Sequence, residues 1–440
     1  MEHLTVIPAD PQTVPAVQPP RGTSGRPSAA AALGHGHPPA LSLYIHVPFC
    51  FHKCHYCDFY SIVDSRDRQR EFTRRLVDEL AFLAPHAGGR PLATIFVGGG
   101  TPTLLRVDLW RELLSALRGL FDLSAFVPPT AARAGAAAGV RGEFTVECNP
   151  ETATAELMGA LAEGGVNRLS IGAQSFEPRH LRTLERWHDP ANVARALELA
   201  AASGIERRSI DLIFGIPGQT LAEWERDLAA ALSLGLDHLS CYALTYEPNT
   251  AMTARLRAGD FARIDEDLEA DMYQAAVERL RAAGLGRYEV SNFARPGHEC
   301  RHNLAYWRQE QWLAAGPSAS GHAWAGEDRA GGGYRWRNVP RLGDYLGSAG
   351  PSPVVDLECP DRARALRERV MTGLRTAEGV DGAEVLRAAE PLGCEQPVAA
   401  AVDALRARGW LAPHADRWRL TDAGFLMADA AAGEVMAAIA

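Results

Sequence analysis

The chain has 440 residues, 47% of them apolar, enough to bury a large core and to fill two domains. A formal net charge of −9 gives no electrostatic case for nucleic acid, and eight unevenly spaced cysteines do not make a disulfide scaffold. No apolar run approaches the roughly 18 residues that span a bilayer, and the first forty residues lack the basic start and apolar middle of a signal peptide, so a cytoplasmic protein is expected.

Residues 1–40 are rich in Pro, Ala and Gly and are expected to form a disordered tail. Short apolar strands then alternate with helical stretches. The strands are predicted at 41–47, 94–97, 144–148, 168–172, 209–214 and 238–244. Helices are predicted between them, at 66–83, 107–120, 153–163, 190–202 and 221–234. Repeated βα units argue for a parallel sheet with helices outside, and six of them make an incomplete (βα)6 TIM-like barrel over 41–290. Ligands gather at the carboxyl ends of such strands. The Ala/Pro/Gly-rich stretch 123–142 reads as a surface insertion and 291–359 as a junction. From 360 to 440, helices near 363–376 and 397–408, a hairpin over 410–420 and a last helix predict a smaller winged-helix-like α+β domain. It has no basic recognition helix.

The chemistry concentrates just after the first strand. Cys50, Cys54 and Cys57 stand at C-x3-C-x2-C spacing, and three thiolates on one loop can hold three corners of a cubane iron–sulfur cluster. The fourth iron is then open to a small chelating molecule. The alternative is zinc, with His52 or His55 as fourth ligand. After the second strand, Gly98-Gly-Gly-Thr-Pro102 lets a ligand approach the backbone closely, or makes only a tight turn. Glu147 closes the third strand with acceptor oxygens that suit a pair of ribose hydroxyls or a salt bridge. Asp211 lies in an apolar strand and needs a partner. In His302-Asn-Leu-Ala-Tyr-Trp307 the imidazole can ligate heme iron and the aromatics can pack on a porphyrin; equally, the histidine can cap a helix with the aromatics as filler. His322 is a second candidate iron ligand.

With Tyr44-Ile-His-Val-Pro-Phe-Cys50 and Cys54-His-Tyr-Cys-Asp-Phe59, the chain resembles the radical S-adenosylmethionine (SAM) superfamily. Within it, the chain resembles the oxygen-independent coproporphyrinogen III oxidase-like family and its heme chaperone (HemW) branch, from Leu41 to the C-terminus. The resemblance implies a [4Fe-4S] cluster on Cys50, Cys54 and Cys57, with SAM on the open iron. It implies that Gly99, Gly100 and Thr101 meet the methionyl end and Glu147 the ribose. Gln174, Arg186 and Asp211 are implied near SAM, and Tyr44 and Tyr56 as adenine-side or cluster-side contacts. The oxidases usually carry a further cysteine two residues after the third; Phe59 stands there, which points to the chaperone branch. In that branch the H-N-x-x-Y-W string is linked to heme, so His302, Asn303, Tyr306 and Trp307 are implied heme contacts. The implied partners are heme, recipient hemoproteins at the membrane surface, and an electron donor if SAM is cleaved. No residue is assigned a catalytic role; radical decarboxylation of coproporphyrinogen III is the alternative, and a zinc-binding interaction module the outsider. By the same resemblance the C-terminal domain is expected over the barrel mouth, as a lid or docking platform.

Overall fold

A computed structural model describes residues 29, 33, 38–126, 142–324, 333–413 and 416–439. The expected strands form as β1 (Ser42–Val47), β2 (Thr94–Gly99), β3 (Glu143–Cys148), β4 (Arg168–Gln174), β5 (Arg207–Phe214) and β6 (His238–Ala243). They lie side by side in chain order and all run parallel. Alternation along each strand sorts the residues. Leu43, Ile45 and Val47 of β1, with Ile95 and Val97 of β2, are buried. They share a core with helices α1 (Gln69–Leu83) and α2 (Val107–Leu120), which contribute Leu76, Leu80, Leu113 and Leu117. The alternate set, from Tyr44 and His46 to Glu147, Ser170 and Asp211, is polar or aromatic and meets side chain to side chain across the strands. The outer ring continues with α3 (Ala155–Glu163), α4 (Pro178–Thr183), α5 (Ala191–Ala202) and α6 (Leu221–Ser233). Thr220 and Glu223 start α6 with a reciprocal capping box.

The sheet extends past these six strands on both edges. After α7 (Ala251–Ala258) and α8 (Glu266–Ala282), the short β7 (Gly286–Arg287) and β8 (Asn292–Ala294) add antiparallel beside β6. After α9 (Arg301–Trp307), β9 (Trp312–Ala315) pairs parallel with β1. Then β10 (Ser320–Ala323), β11 (Tyr334–Asn338) and β12 (Val354–Glu358) add antiparallel, making a twelve-stranded open sheet; α10 (Leu342–Leu346) lies between the last two. The interval 291–359 thus supplies β8 to β12 of the sheet, with α9 and α10 between them. Short strands such as Ser320-Gly-His-Ala carry too few apolar residues to signal themselves.

The C-terminal part has its own core around Val370, Leu374, Val385, Val398, Val402 and Trp418. Its order is α11 (Arg362–Leu374), β13 (Val380–Asp381), α12 (Gly382–Ala389), α13 (Glu395–Ala407), β14 (Arg417–Trp418), α14 (Asp422–Leu426) and α15 (Ala428–Ala437). Helix, strand, two helices and a hairpin make it winged-helix-like. The hairpin is narrower than expected: one bridge joins Leu411 to Leu420, and β14 pairs with β13 instead. This domain bonds to both sides of the open sheet. Val290 and Ala377 donate backbone N–H groups to Arg375 and Tyr288 at one edge, and Arg335 pairs with Glu368 at the other. Asp422 also pairs with Arg281 of α8 and Arg287 of β7, and Glu378 with Arg308 after α9. Of the expected tail, Ala29 and Leu33 are described; both are buried in the barrel's core, and Ala29 N–H meets Ser352. The rest up to residue 37 lies outside the described residues, as does 127–141 of the expected insertion.

Candidate functional site

The cysteine loop leaves the carboxyl end of β1 and is clamped at its base. Cys50 N–H donates to Ile62 O at 2.9 Å, and Ile62 N–H returns to Pro48 O at 2.8 Å. Farther out, His55 N–H reaches Leu184 O after α4, and Met252 N–H of α7 reaches His55 O. Cys50, Cys54 and Cys57 are free and partly exposed, whereas Cys148, Cys241, Cys300 and Cys394 are buried. Burial pushes the Cys57 thiol up to about 12 and raises Cys50, so any metal taken up by these sulfurs would have to displace protons. Arg186 opposes this: its guanidinium lies 3.8 Å from Cys54 Sγ, and Thr101 Oγ1 lies 3.5 Å from Cys50 Sγ. Among the described residues, no three His, Cys, Asp or Glu side chains gather around a single ion. His52 stacks on Trp187 and His55 faces Arg255, so neither is turned toward the thiols. The donor set fits three corners of a cubane better than one zinc ion.

Next to the loop, the ends of β2 to β5 supply polar groups of both kinds. Gly99 N–H donates to Glu147 Oε2 at 3.1 Å. Gly99 has φ of 107° and lies against the His46 ring, so a Cβ there would collide with it. Gly172 is hemmed in from the other side, where a Cβ would sit 2.7 Å from Gln174 Nε2 and 2.8 Å from Arg186 Nη2. Gln174 holds a left-handed φ of 64° at a register shift between β4 and β5. Arg186 donates to Gly172 O at 3.0 Å, and its Nε has no partner. Burial and the neighbouring Asp211 push the Glu147 carboxyl up to about 7. Asp211, raised by burial, has the partner its strand required: Ser170 Oγ donates to it at 3.2 Å. Tyr56 is held protonated by burial beside Arg186 and Cys54. The structure thus brings Tyr56, Gly99, Thr101, Glu147, Gln174, Arg186 and Asp211 to the same end of the barrel as the cysteines. Gly100 joins them, donating to Val47 O.

His302, Asn303, Tyr306 and Trp307 lie at the other end. His302 is fully buried on α9, with Nδ1 2.7 Å from Thr94 Oγ1 at the start of β2 and Nε2 2.8 Å from Tyr306 OH. Its backbone N–H, that of Arg301 and the Cys300 thiol all donate to Glu143, the first residue of β3. Burial holds His302 neutral, at about 4. Arg168, Arg207, Ser209, His238 and Tyr288 complete this floor. His322 is also buried and bonds to Glu310 O. Tyr44 stands between the two ends: its ring stacks on Phe96, which stacks on His302.

Sequence reasoning passed over His46 and Ser170. His46 braces Gly99 while bonding Tyr44 OH and Tyr60 O. The available signal was a histidine and a serine at inward positions of apolar strands.

Residues 44–231 match the Radical SAM superfamily and residues 361–427 match the HemN C-terminal domain. The heme chaperone HemW of Mycobacterium tuberculosis H37Rv is 37% identical over 398 residues, 89% of this chain and 93% of that protein. The heme chaperone HemW of Escherichia coli K12 is 35% identical over 392 residues, 88% and 96% of the two chains. Among solved structures, the coproporphyrinogen III oxidase HemN of E. coli, a radical SAM enzyme, aligns with a TM-score of 0.74 at 21% identity over 92% of each chain. At that identity the likeness is one of fold.

Proposed function

This chain belongs to the HemW heme chaperone family of the radical SAM superfamily, and on that premise we propose that it binds heme and passes it to recipient hemoproteins. Cys50, Cys54 and Cys57 hold a [4Fe-4S] cluster. When bound, the cluster supplies an iron open to the amino and carboxylate groups of SAM and a place to store one electron. Gly99, Gly100 and Thr101 let the methionyl end approach the backbone closely, their own N–H groups being bonded to Glu147, Val47 and Phe49, and Glu147 accepts from the ribose. Gln174, Arg186 and Asp211 line the same space, with Tyr44 and Tyr56 at its sides. His302 is a latched iron ligand: its Nε2 can reach iron only when the bond to Tyr306 opens. Asn303, Tyr306 and Trp307 share its short helix.

The observation that carries this reading is chain-long identity to HemW chaperones, 89% of this chain being aligned. Heme titration of the reconstituted protein is expected to give a stoichiometric Soret complex, and His302→Ala is expected to lose the imidazole-ligated spectrum. An anaerobic assay with SAM and reductant separates the alternative: protoporphyrinogen formation would make the chain an oxidase. No described helix is long and apolar enough to cross a membrane. The proposal places the chain in the cytoplasm, meeting hemoproteins at the membrane surface and an electron donor if SAM is cleaved.

A further inference from the structure

A cleft of about 370 Å³ opens beside the cluster loop, lined by Tyr60, Ile62, Arg66, Arg68, Arg341 and Leu342. One wall is the segment returning from the loop, fixed by Ile62. The other precedes α10, where Leu342 N–H donates to Tyr60 OH at 2.8 Å. The three arginines are not equivalent. Arg68 is neutralised by Asp64, which takes two of its N–H groups at 2.9 and 2.7 Å. Arg66 and Arg341 are exposed and make no ion pair among the described residues. Asp344, also near Tyr60, is not bridged to Arg341. Two uncompensated guanidiniums therefore stand over an apolar base, in a chain whose net charge is −9.

The border of the cleft is apolar as well. Phe59 is 64% exposed and Val63 61%, immediately either side of the Tyr60–Ile62 wall. Of the eight large apolar side chains exposed among the described residues, four (Phe51, Phe59, Val63 and Trp187) lie on or against the cluster loop and its return. Water would not leave such groups gathered without a partner. A flat apolar ring with two carboxylates on one edge matches this surface in both respects: cations for the edge, aromatic and aliphatic side chains for the face. A bilayer would meet a convex surface, whereas a cleft admits an edge.

We propose that Arg66 and Arg341 receive the propionate carboxylates of heme and that Phe59 covers part of the porphyrin face, giving a heme position at the barrel mouth that does not use His302. The inference rests on the heme-chaperone reading and assigns it a second contact surface, at the opposite end of the strands. Heme and heme dimethyl ester, which lacks the free carboxylates, are titrated into the wild-type protein, Arg66→Ala/Arg341→Ala and Phe59→Ala, each in the His302→Ala background and without it. The expected result is heme binding that survives His302→Ala and falls about a hundredfold in the double arginine variant, roughly tenfold per carboxylate–guanidinium pair. The ester should bind wild type as weakly as heme binds the double variant. In the His302→Ala background, equal heme affinity with and without the two arginines, or equal affinity for heme and ester, overturns the proposal while leaving the chaperone reading intact. Absence of any heme complex with wild type sinks the chaperone reading itself. Vesicles of phosphatidylserine and phosphatidylcholine form the last arm: if the double variant loses vesicle binding but keeps heme affinity, the cleft is a lipid contact and the heme assignment is wrong. The arginines are exposed, so circular dichroism and SAM binding should match wild type and certify the fold.

Discussion

The two ends of the barrel use the same raw material, charged and polar side chains on inward positions of six strands, and finish it differently. At the floor Glu143 takes Arg207 and the N–H groups of Arg301 and His302, and His302 is bonded at both ring nitrogens, although Arg207 Nε has no partner. At the mouth, groups of the same kind gather beside the cysteine loop. Three thiols are free, Arg186 Nε is unmatched, and Glu147 has one backbone donor against a nearby Asp211. Three thiols on one loop, rather than unmet hydrogen bonds, set the mouth apart from the floor.

The largest effect comes from removing those thiols. Cys50→Ala, Cys54→Ala or Cys57→Ala should abolish bound iron and sulfide after anaerobic reconstitution, with thermal stability of the cluster-free protein within about 1 kcal/mol of wild type. The loop is held by backbone bonds at Cys50, Ile62 and His55, not by the thiols. A variant that kept its full iron content would break the comparison at once. The floor should answer oppositely. Glu143→Ala strands the half-buried Arg207 and two backbone N–H groups, at a cost of about 3 kcal/mol, with no direct claim on the cluster. Its charged neighbours hold the Glu143 carboxyl below the ordinary 4.5. The contribution is therefore present above pH 4.5 and is lost as pH falls through the folded value, which urea titrations across acid pH would trace.

A smaller effect tests the sugar-side acceptor. Glu147→Gln should weaken SAM by about ten- to a hundredfold in anaerobic calorimetry, the range for hydrogen bonds to a charged group. In the ligand-free protein the Glu147 carboxyl titrates at about 7. Ribose hydroxyls need the ionised acceptor, so SAM affinity should rise as pH climbs through 7 in wild type and stay level in the glutamine variant. A pH step that survives the substitution would move the acceptor role to another residue.

Much of the mouth could be read before the fold. C-x3-C-x2-C, the glycine run and Glu147 are contiguous in sequence or sit at strand ends, where βα rhythm fixes their location. Asp211 was legible as a residue in want of a partner; that the partner is Ser170, on the next strand, was not. The floor was illegible for a physical reason. His302 reads equally as a ligand or as a helix cap because Thr94, which binds it, is 208 residues away, a distance no local pattern crosses. The outer strands escaped for a similar reason: β9 pairs with β1, and its apolar signal is four residues long. Placement of the C-terminal domain followed from ion pairs such as Arg335 to Glu368, which composition does not single out.

The finest test sits on the floor, at Tyr306. Tyr306→Phe deletes the hydroxyl 2.8 Å from His302 Nε2 and keeps a ring 4.8 Å from the imidazole. Losing one buried bond costs about 1 kcal/mol. Burial, not this bond, is the main cause that holds His302 at about 4, against an ordinary 6.5. The unfolded chain takes that proton first, so the His302 contribution is complete above pH 6.5 and is lost as pH falls toward 4. The variant should keep this acid limb and lie below wild type along its whole length. Heme gives the deciding reading. If His302 is a latched ligand, the free energy spared by not breaking the Tyr306 bond returns as affinity, about fivefold tighter at 1 kcal/mol. A fall in heme affinity would mean that Tyr306 itself touches the porphyrin. No change at all would make the floor purely structural and leave the mouth as the end where heme is held.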